Sequence, residues 1–429
     1  MRKYRNVLKA VEDTGVKAWL VGDSARMIAM GIQPELMTLA IDTKDLDRVA
    51  TAIKNSAVDA RGTFPVLRGE VNGIPFRGFS LQGDTIEEDL TRRDITIEAI
   101  ALRSDGGVID PFEGRRDIRN GVIRLTGDDI GLIHKDPLRI VRMLRFAAEF
   151  GMNIFWKSDA DVRNFLKDHS DRMGAVPAER WGREIISGMT ARPRRFISLC
   201  DSYNLLPFFL KDLDDLKHVP DGKEGGRTLF DHVMETLDVI EARLPTHKIM
   251  QSEAFILAGL FSRIGMKDLR ERDIEKADRI ITDSLRKWNI PTETVDEVIA
   301  IIGNYFFFYK QRDEEKICES VLQYGQPALD VGMEFAACIA LTEGLPYMET
   351  LSDNQWRMNQ VKRRFNAVAL QTDGSTRLIS GDEIIKLLRV APGRIIGELL
   401  KGLDMAVGTG KVTSRPQAEE WVVRHASSV

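Results

Sequence analysis

The sequence predicts an α+β protein in which a small N-terminal head with a mixed sheet precedes a long all-helical region. Two observations lead to this fold class. Short apolar runs beside glycines, which are typical of buried strands, are concentrated in the first 125 residues. From Lys135 onward the apolar residues recur with a period of about 3.6, as on one face of a helix, and this pattern continues along the chain.

The elements of the head follow from these runs and from turn residues. Asn72-Gly73 and Asp105-Gly-Gly107 each predict the turn of a hairpin. Strands are expected at residues 18–21, 36–41, 70–77 (with the first turn inside), 96–102 and 108–110. Helices are expected at about 3–14, 22–31 and 44–55.

The remaining elements are predicted to be helices. They are expected at about 158–169, 178–189, 193–204, 228–243, 252–264, 272–288, 292–304, 313–323, 328–342 and 353–366. Two polar loops, 222–226 and 371–376, interrupt them, and Ser380-Gly-Asp-Glu383 predicts the capped start of a terminal helical module.

Composition narrows the class of protein. The chain has 429 residues, 43% of them hydrophobic, which is enough for a substantial core. A net charge of -4 requires that any nucleic-acid contact use a local basic surface. Three widely spaced cysteines exclude a disulfide framework and fit the cytoplasm, and no apolar run reaches the roughly 18 residues of a membrane span.

Two segments of the head have the residues of a phosphate site. Val21-Gly22-Asp-Ser-Ala-Arg26 joins a strand to a helix through a glycine, and the first N–H groups of a helix attract anions. Arg92, Arg93 and Asp94 could clamp a triphosphate through bidentate hydrogen bonds. A plain strand–helix connection and a solvated charged turn are the alternative interpretations.

A third segment begins the helical region. Asp136 and Arg139 are three residues apart, hence on one helix face, and Arg142 and Arg145 follow. An acceptor and a donor placed together can read the Watson–Crick edge of a base. The alternative is an ion pair within the helix, worth a few tenths of a kcal/mol.

The order of these motifs resembles that of the bacterial tRNA nucleotidyltransferases and poly(A) polymerases, the CCA-adding enzymes of the second class. The motifs are VGxxxR, EEDLxRRDxTIxAIA, DPFxGRxDIRxGxIR and DPLRxxRxLRFAxEFG, and the resemblance returns near the C-terminus in 378–422. It implies a polymerase-beta-like nucleotidyltransferase head at 1–125, a neck at 126–195, a body at 196–370 and a tail at 371–429.

The resemblance also implies ligands and site residues. ATP or CTP would be bound by Gly22, Arg26, Arg92, Arg93, Asp94, Asp136, Arg139 and Arg142. A tRNA or another RNA 3′ end would be bound by Arg145, Arg180, Arg183, Arg192, Arg194 and Arg195. Active members transfer a nucleotide with two Mg²⁺ ions held by carboxylates.

The sequence departs from the family at those carboxylates. The family pattern GGxVRD reads Gly22-Asp-Ser-Ala-Arg-Met27 here, and the two aspartates of the following D-x-D are replaced by Leu36 and Thr38. No carboxylate occurs from 72 to 82, where the family has a third acid. We therefore expect no metal site and assign no catalytic residue, unless Asp42, Asp45 or Asp47 compensates for the missing carboxylates.

The predicted body also lacks the metal ligands of a motif that it resembles. His232 and 258–265 resemble a histidine–aspartate phosphohydrolase module, but Ser262 and Arg263 replace its histidine and aspartate ligands. We expect no metal there.

Three functions remain open from the sequence. The first is a protein that binds tRNA 3′ ends and nucleoside triphosphates with weak or lost transfer. The second is an active CCA-, CC- or A-adding enzyme or poly(A) polymerase with compensating ligands. The third is a non-catalytic structural partner of an active paralogue.

Overall fold

The computed structural model describes residues 3–61, 64–127, 129–245, 248, 252–269, 271–306, 314–371 and 377–426. The chain divides into two compact units, residues 1–208 and 209–429. The predicted loop at 371–376 lies almost entirely outside the described residues. The division into head, neck, body and tail stays a prediction.

A seven-stranded mixed sheet forms the head. Its strands are β1 Ala18–Val21, β2 Met37–Ile41, β3 Ser56–Asp59, β4 Val66–Val71, β5 Ile74–Ser80, β6 Ala101–Leu102 and β7 Val108–Ile109, in the order β3-β4-β5-β2-β1-β6-β7. Only β2 and β5 are parallel neighbours among these strands. The mixed sheet predicted for the head is confirmed.

Helices surround the sheet and continue beyond it in the first unit. They are α1 Lys3–Glu12, α2 Gly22–Ala29, α3 Leu46–Ala52, α4 Ile86–Thr91, α5 Gly114–Asn120, α6 Asp129–Lys135, α7 Leu138–Glu149, α8 Trp156–His169, α9 Asp171–Gly174, α10 Ala178–Ala191 and α11 Pro193–Ser202. A short parallel pair, β8 Val122–Ile123 and β9 Asn153–Ile154, lies among them. The helix α12, Leu206–Phe209, spans the division between the units.

The second unit is helical throughout its described residues, as the sequence predicts. Its helices are α13 Lys211–Asp215, α14 Leu229–Arg243, α15 Glu253–Phe261, α16 Ile274–Lys287, α17 Thr292–Phe306, α18 Glu314–Thr342, α19 Tyr347–Gln371, α20 Gly381–Leu388, α21 Arg394–Gly408 and α22 Arg415–His425. A 3-10 turn covers Leu216–His218. No described helix is long and apolar enough to cross a membrane.

The local sequence explains the elements that shape the head. All five residues of β2 are buried, because this strand is central in the sheet. Asn72 and Gly73 both have positive φ, 52° and 75°, as the hairpin between β4 and β5 requires. The predicted strand at 96–102 is wrong in part: Thr96–Glu98 is a 3-10 turn, and only Ala101–Leu102 pairs in the sheet.

All three cysteines, Cys200, Cys318 and Cys338, are buried and are not joined in disulfides. Burial raises the pKa of the Cys200 thiol well above its usual range and that of Cys338 to about 12. The thiols therefore pack as small apolar groups.

Candidate functional site

A cavity of about 660 Å³ opens in the head. It is lined by the start of α2, by β2 and β5, by the segment after α4 and by the end of α7. The lining includes Gly22, Asp23, Arg26, Thr38, Phe64, Arg77, Asp89, Arg92, Arg93, Glu98, Arg145 and Glu149. Its volume is typical of small-molecule sites. The structure thus brings together four of the eight residues predicted to bind a nucleotide: Gly22, Arg26, Arg92 and Arg93.

Most arginines in this lining are ion-paired with a carboxylate of the same lining. The pairs are Arg26–Glu98, Arg77–Asp23 at 2.9 Å, Arg93–Asp89 at 2.7 Å and Arg145–Glu149 at 3.1 Å. The Arg92 side chain is exposed and makes no such pair with any described residue. The Arg92 guanidinium can therefore bind a ligand without breaking an ion pair of the lining.

Gly22 and Arg26 form one wall. Gly22 has a φ of +60°, and a Cβ there would lie 3.4 Å from Glu98 Oε2 and 3.5 Å from Arg93 Nη1. The guanidinium of Arg26 is buried, and its carbon lies 4.5 Å from the Phe150 ring centre. Burial lowers the pKa of Arg26 despite the opposing charges of Glu149 and Asp23. These contacts give Arg26 a structural role in the wall.

A polar network joins α2, β2 and β5. The Ser24 hydroxyl donates to the Leu36 carbonyl at 2.9 Å and accepts from the Thr38 N–H at 2.8 Å. Arg77 donates through Nε to Thr38 Oγ1 and through Nη2 to Asp23 Oδ2, both at 2.9 Å. This geometry follows from the register, because Thr38 and Arg77 are direct partners in the parallel pair of β2 and β5. The guanidinium therefore bridges two elements of the cavity wall.

The other four predicted nucleotide-binding residues lie outside the cavity lining, in a second ion-pair network. Asp94 pairs with Arg139 at 3.1 Å and with Arg142 at 2.8 Å. Asp136 pairs with Arg180 at 2.7 Å and with Arg142 at 3.4 Å. Base reading by Asp136 and Arg139 stays a prediction; in this structure the Asp136 carboxylate is paired with Arg142 and Arg180, and Arg139 donates to the carbonyls of Arg92 and Arg93.

Charges in this network shift pKa values as expected. Partial burial opposes the charged form of Asp136, but the Arg180 hydrogen bond and the Arg142 charge lower its pKa. For Arg142, burial is outweighed by Asp94 and Glu184, which raise its pKa. Asp136 and Arg142 are thus held in their charged forms at neutral pH.

The six arginines predicted to bind RNA do not have the same surroundings. Arg145 lines the cavity and bonds Glu184 at 2.8 Å, Arg180 is bound to Asp136, and Arg195 donates to the Met152 carbonyl at 3.0 Å. Arg183 is exposed, with no side-chain bond to any described residue. Arg192 is exposed and Arg194 half-buried. Their role in RNA binding stays a prediction.

Comparison with known proteins finds relatives of this chain. Residues 16–124 match the poly(A) polymerase head domain. A CCA-adding enzyme of Leuconostoc mesenteroides is 26% identical, over 96% of this chain and 94% of the relative. The Bacillus stearothermophilus CCA-adding enzyme, solved in complex with CTP, has a TM-score of 0.69 at 18% identity, covering 100% of this chain and 98% of the other. Along its whole length the chain is thus similar to CCA-adding enzymes. A further similar structure is the Thermotoga maritima CCA-adding enzyme complexed with tRNA(CCA), with a TM-score of 0.58 at 17% identity, covering 98% and 94%.

The tRNA nucleotidyltransferase pattern identifies what has changed in the cavity. Thr38, at the second aspartate position of D-x-D, contacts the cavity, and its hydroxyl already accepts from Arg77. Asp23 stands at the second glycine of GGxVRD and accepts from the Ser24 N–H at 2.8 Å. The Asp23 carboxylate therefore already accepts a hydrogen bond from an N–H group at the start of α2. Arg77, which the sequence analysis did not single out, lies in the segment where the family has its third acid.

The residues of this cavity do not fit a pair of Mg²⁺ ions. Mg²⁺ requires anionic oxygens in near-octahedral geometry. Of the two D-x-D positions, Leu36 is absent from the cavity lining and Thr38 offers a neutral hydroxyl, and the four carboxylates of the lining are each paired with an arginine. Asp42, Asp45 and Asp47 are absent from the cavity lining, and Asp45 caps α3 by accepting from the Arg48 N–H at 3.0 Å. Among the described residues, no group of three or more histidines, cysteines or acids is placed to hold a metal.

The segment that resembles a phosphohydrolase is packed in the second unit. Ser262 and Arg263 are fully buried, and Arg263 pairs with Glu343 at 3.2 Å. His232 is buried with Nε2 3.1 Å from Asp221 Oδ2. The arginine that replaces a ligand position thus has a carboxylate partner inside the fold.

His232 makes stability depend on pH. Burial lowers its pKa below the ordinary value of 6.5, although the Asp221 hydrogen bond opposes this. The unfolded chain then takes up a proton at a higher pH than the folded chain, so stability present above about 6.5 is lost as the pH falls. We expect the second unit to lose up to about 1.4 kcal/mol per pH unit below this value.

Thermal melts between about pH 7.5 and 5.5 measure this loss. His232→Gln should flatten the dependence, whereas the matched control His218→Gln, at an exposed histidine, should keep it. An unchanged slope in His232→Gln would assign the pH dependence to other groups.

Proposed function

We propose that this protein binds tRNA 3′ ends together with ATP or CTP, and that its nucleotidyl transfer is weak or lost. It would act in the cytoplasm as a pseudoenzyme of tRNA processing. The similarity to CCA-adding enzymes and the cavity in the head support nucleotide and RNA binding. The replaced metal ligands support the loss of transfer.

The position of Arg77 carries this proposal. In a two-metal transfer, cations activate the attacking 3′-hydroxyl and neutralise the leaving pyrophosphate. Here a guanidinium is bonded to Thr38 and Asp23, at 2.9 Å from each. A divalent ion about 4 Å from this guanidinium would be repelled by about 2 kcal/mol in water and about 8 kcal/mol at an effective dielectric constant near 20.

A guanidinium cannot replace the metals in the reaction. It supplies one positive charge and hydrogen bonds, but it does not lower the pKa of a hydroxyl by direct coordination. Loss of two-metal stabilisation costs several kcal/mol of barrier, and each ~1.4 kcal/mol is about tenfold in rate. We therefore expect transfer to be slower by roughly 10³ to 10⁶ than in a tRNA nucleotidyltransferase with intact carboxylates.

Incorporation of labelled CTP and ATP into tRNA truncated at its 3′ end tests the proposal. Stoichiometric protein with Mg²⁺ should give addition near background, while filter binding should detect the tRNA complex. Robust addition at the rate of an active relative would overturn the loss of transfer, and absence of any tRNA complex would overturn the binding function.

The RNA surface can be tested within the same binding assay. Arg183→Gln should weaken tRNA binding and reduce the slope of log affinity against log salt by about one unit, as expected for one lost phosphate contact. Arg119→Gln, at an exposed arginine of α5, provides the matched control. Equal effects of the two changes would mean that Arg183 lies outside the RNA contact.

A further inference from the structure

The wall of the cavity in the head contains a fixed positive charge, the guanidinium of Arg77. Arg77 extends from β5 beside β2, and its two hydrogen bonds at 2.9 Å fix the guanidinium at the wall. About one third of its side chain, 35%, is exposed, so a ligand in the cavity can reach it. The charge of a metal ion is thus replaced here by a charge that belongs to the chain.

The carboxylates of the lining are already neutralised. Asp23, Asp89, Glu98 and Glu149 each pair with an arginine of the same lining. A hard cation entering the cavity would have to displace a guanidinium from one of these pairs. No described carboxylate of the lining offers it an uncompensated charge.

The cavity nevertheless has donors for an anion. Arg92 is exposed and has no ion pair with a described residue, and Arg77 lies on the same lining. The planar fork of a guanidinium binds phosphate through two parallel hydrogen bonds. A phosphate chain can therefore be bound through arginines alone.

We propose that the head binds its nucleotide as the metal-free anion, and that Mg²⁺ competes with this binding instead of assisting it. This inference rests on the proposed nucleotide-binding function. Mg²⁺ chelated by ATP removes two of the negative charges that the arginines attract. It also brings a divalent cation close to the Arg77 guanidinium, and both effects weaken binding.

Equilibrium binding of ATP to the full chain tests this inference. Affinity is measured in EDTA and in excess Mg²⁺ at matched ionic strength. The natural protein should bind ATP about tenfold more tightly in EDTA. In Arg77→Gln the affinity in EDTA should fall, and the ratio between the two conditions should approach about 2, because the specific repulsion is gone.

Control variants separate this effect from general electrostatics. Arg103→Gln removes an arginine that pairs with Asp105 outside the cavity lining, and it should leave the tenfold ratio unchanged. Arg77→Lys, which keeps the charge and loses the fork, should keep most of the Mg²⁺ sensitivity. Thermal melts establish that each variant is folded.

The outcomes distinguish this inference from the function on which it rests. ATP bound more tightly with Mg²⁺ would overturn metal-free binding and leave nucleotide binding in place. If the ratio of ATP affinity in EDTA to ATP affinity in excess Mg²⁺ is the same in Arg77→Gln as in the natural chain, the role of Arg77 is overturned. No ATP binding in either condition would overturn both the inference and nucleotide binding in the proposed function.

Discussion

Nucleotide addition should increase by about 10² or more when Leu36→Asp, Thr38→Asp and Arg77→Gln are combined. The two aspartates supply the anionic oxygens that Mg²⁺ requires, and the third change removes the cation that would repel it. The measurement is single-turnover incorporation of labelled CTP into truncated tRNA with Mg²⁺, beside the natural chain.

The double change without Arg77→Gln should stay within about threefold of the natural chain, because the new carboxylates would pair with the guanidinium. This expectation follows from the bond between Arg77 and Thr38, at 2.9 Å. Adding Arg103→Gln to the double change controls for the loss of one positive charge. A double variant as active as the triple variant would show that Arg77 does not obstruct the metals.

Arg263→Ala should destabilise the second unit by about 3–5 kcal/mol, because it removes the Arg263 guanidinium that is paired with the buried Glu343 carboxylate. Arg263 is fully buried, and the Glu343 side chain is only 5% exposed. Urea unfolding followed by circular dichroism measures the change. The matched control Lys267→Ala, which breaks an exposed pair with Glu271, should leave the midpoint unchanged.

Replacing both members of the buried pair tests the cause. Arg263→Met with Glu343→Met removes both charges of this pair and should recover most of the stability lost in Arg263→Ala. If the double variant is as unstable as Arg263→Ala, the loss is due to packing and not to the broken ion pair.

Local patterns predicted much of the fold. Apolar periodicity located most helices, and Asn72-Gly73 located the hairpin that presents Arg77. The predictions failed where distant contacts decide the backbone. Thr96 is held in a 3-10 turn that contacts Asp117 through its hydroxyl, at 2.5 Å, and the two helices predicted at 313–323 and 328–342 form the single helix α18.

In the candidate site, too, contacts between residues distant in the sequence were not predicted. The motifs drew attention to Gly22, Arg26, Arg92 and Arg93, which line the cavity. The partners of Asp136 could not be read from helix spacing, because Arg180 comes from another helix. Arg77 was missed because its meaning depends on the parallel pairing of β2 and β5, which are not consecutive along the chain.

The buried cysteines have a practical consequence. The raised thiol pKa of Cys200 and Cys338 leaves almost no reactive thiolate at neutral pH, and Cys318 is buried as well. A maleimide dye would therefore attach selectively to one introduced cysteine, with the natural three left in place. Phe64 lines the cavity and is 58% exposed, so Phe64→Cys would place a fluorophore where it reports ligand entry directly.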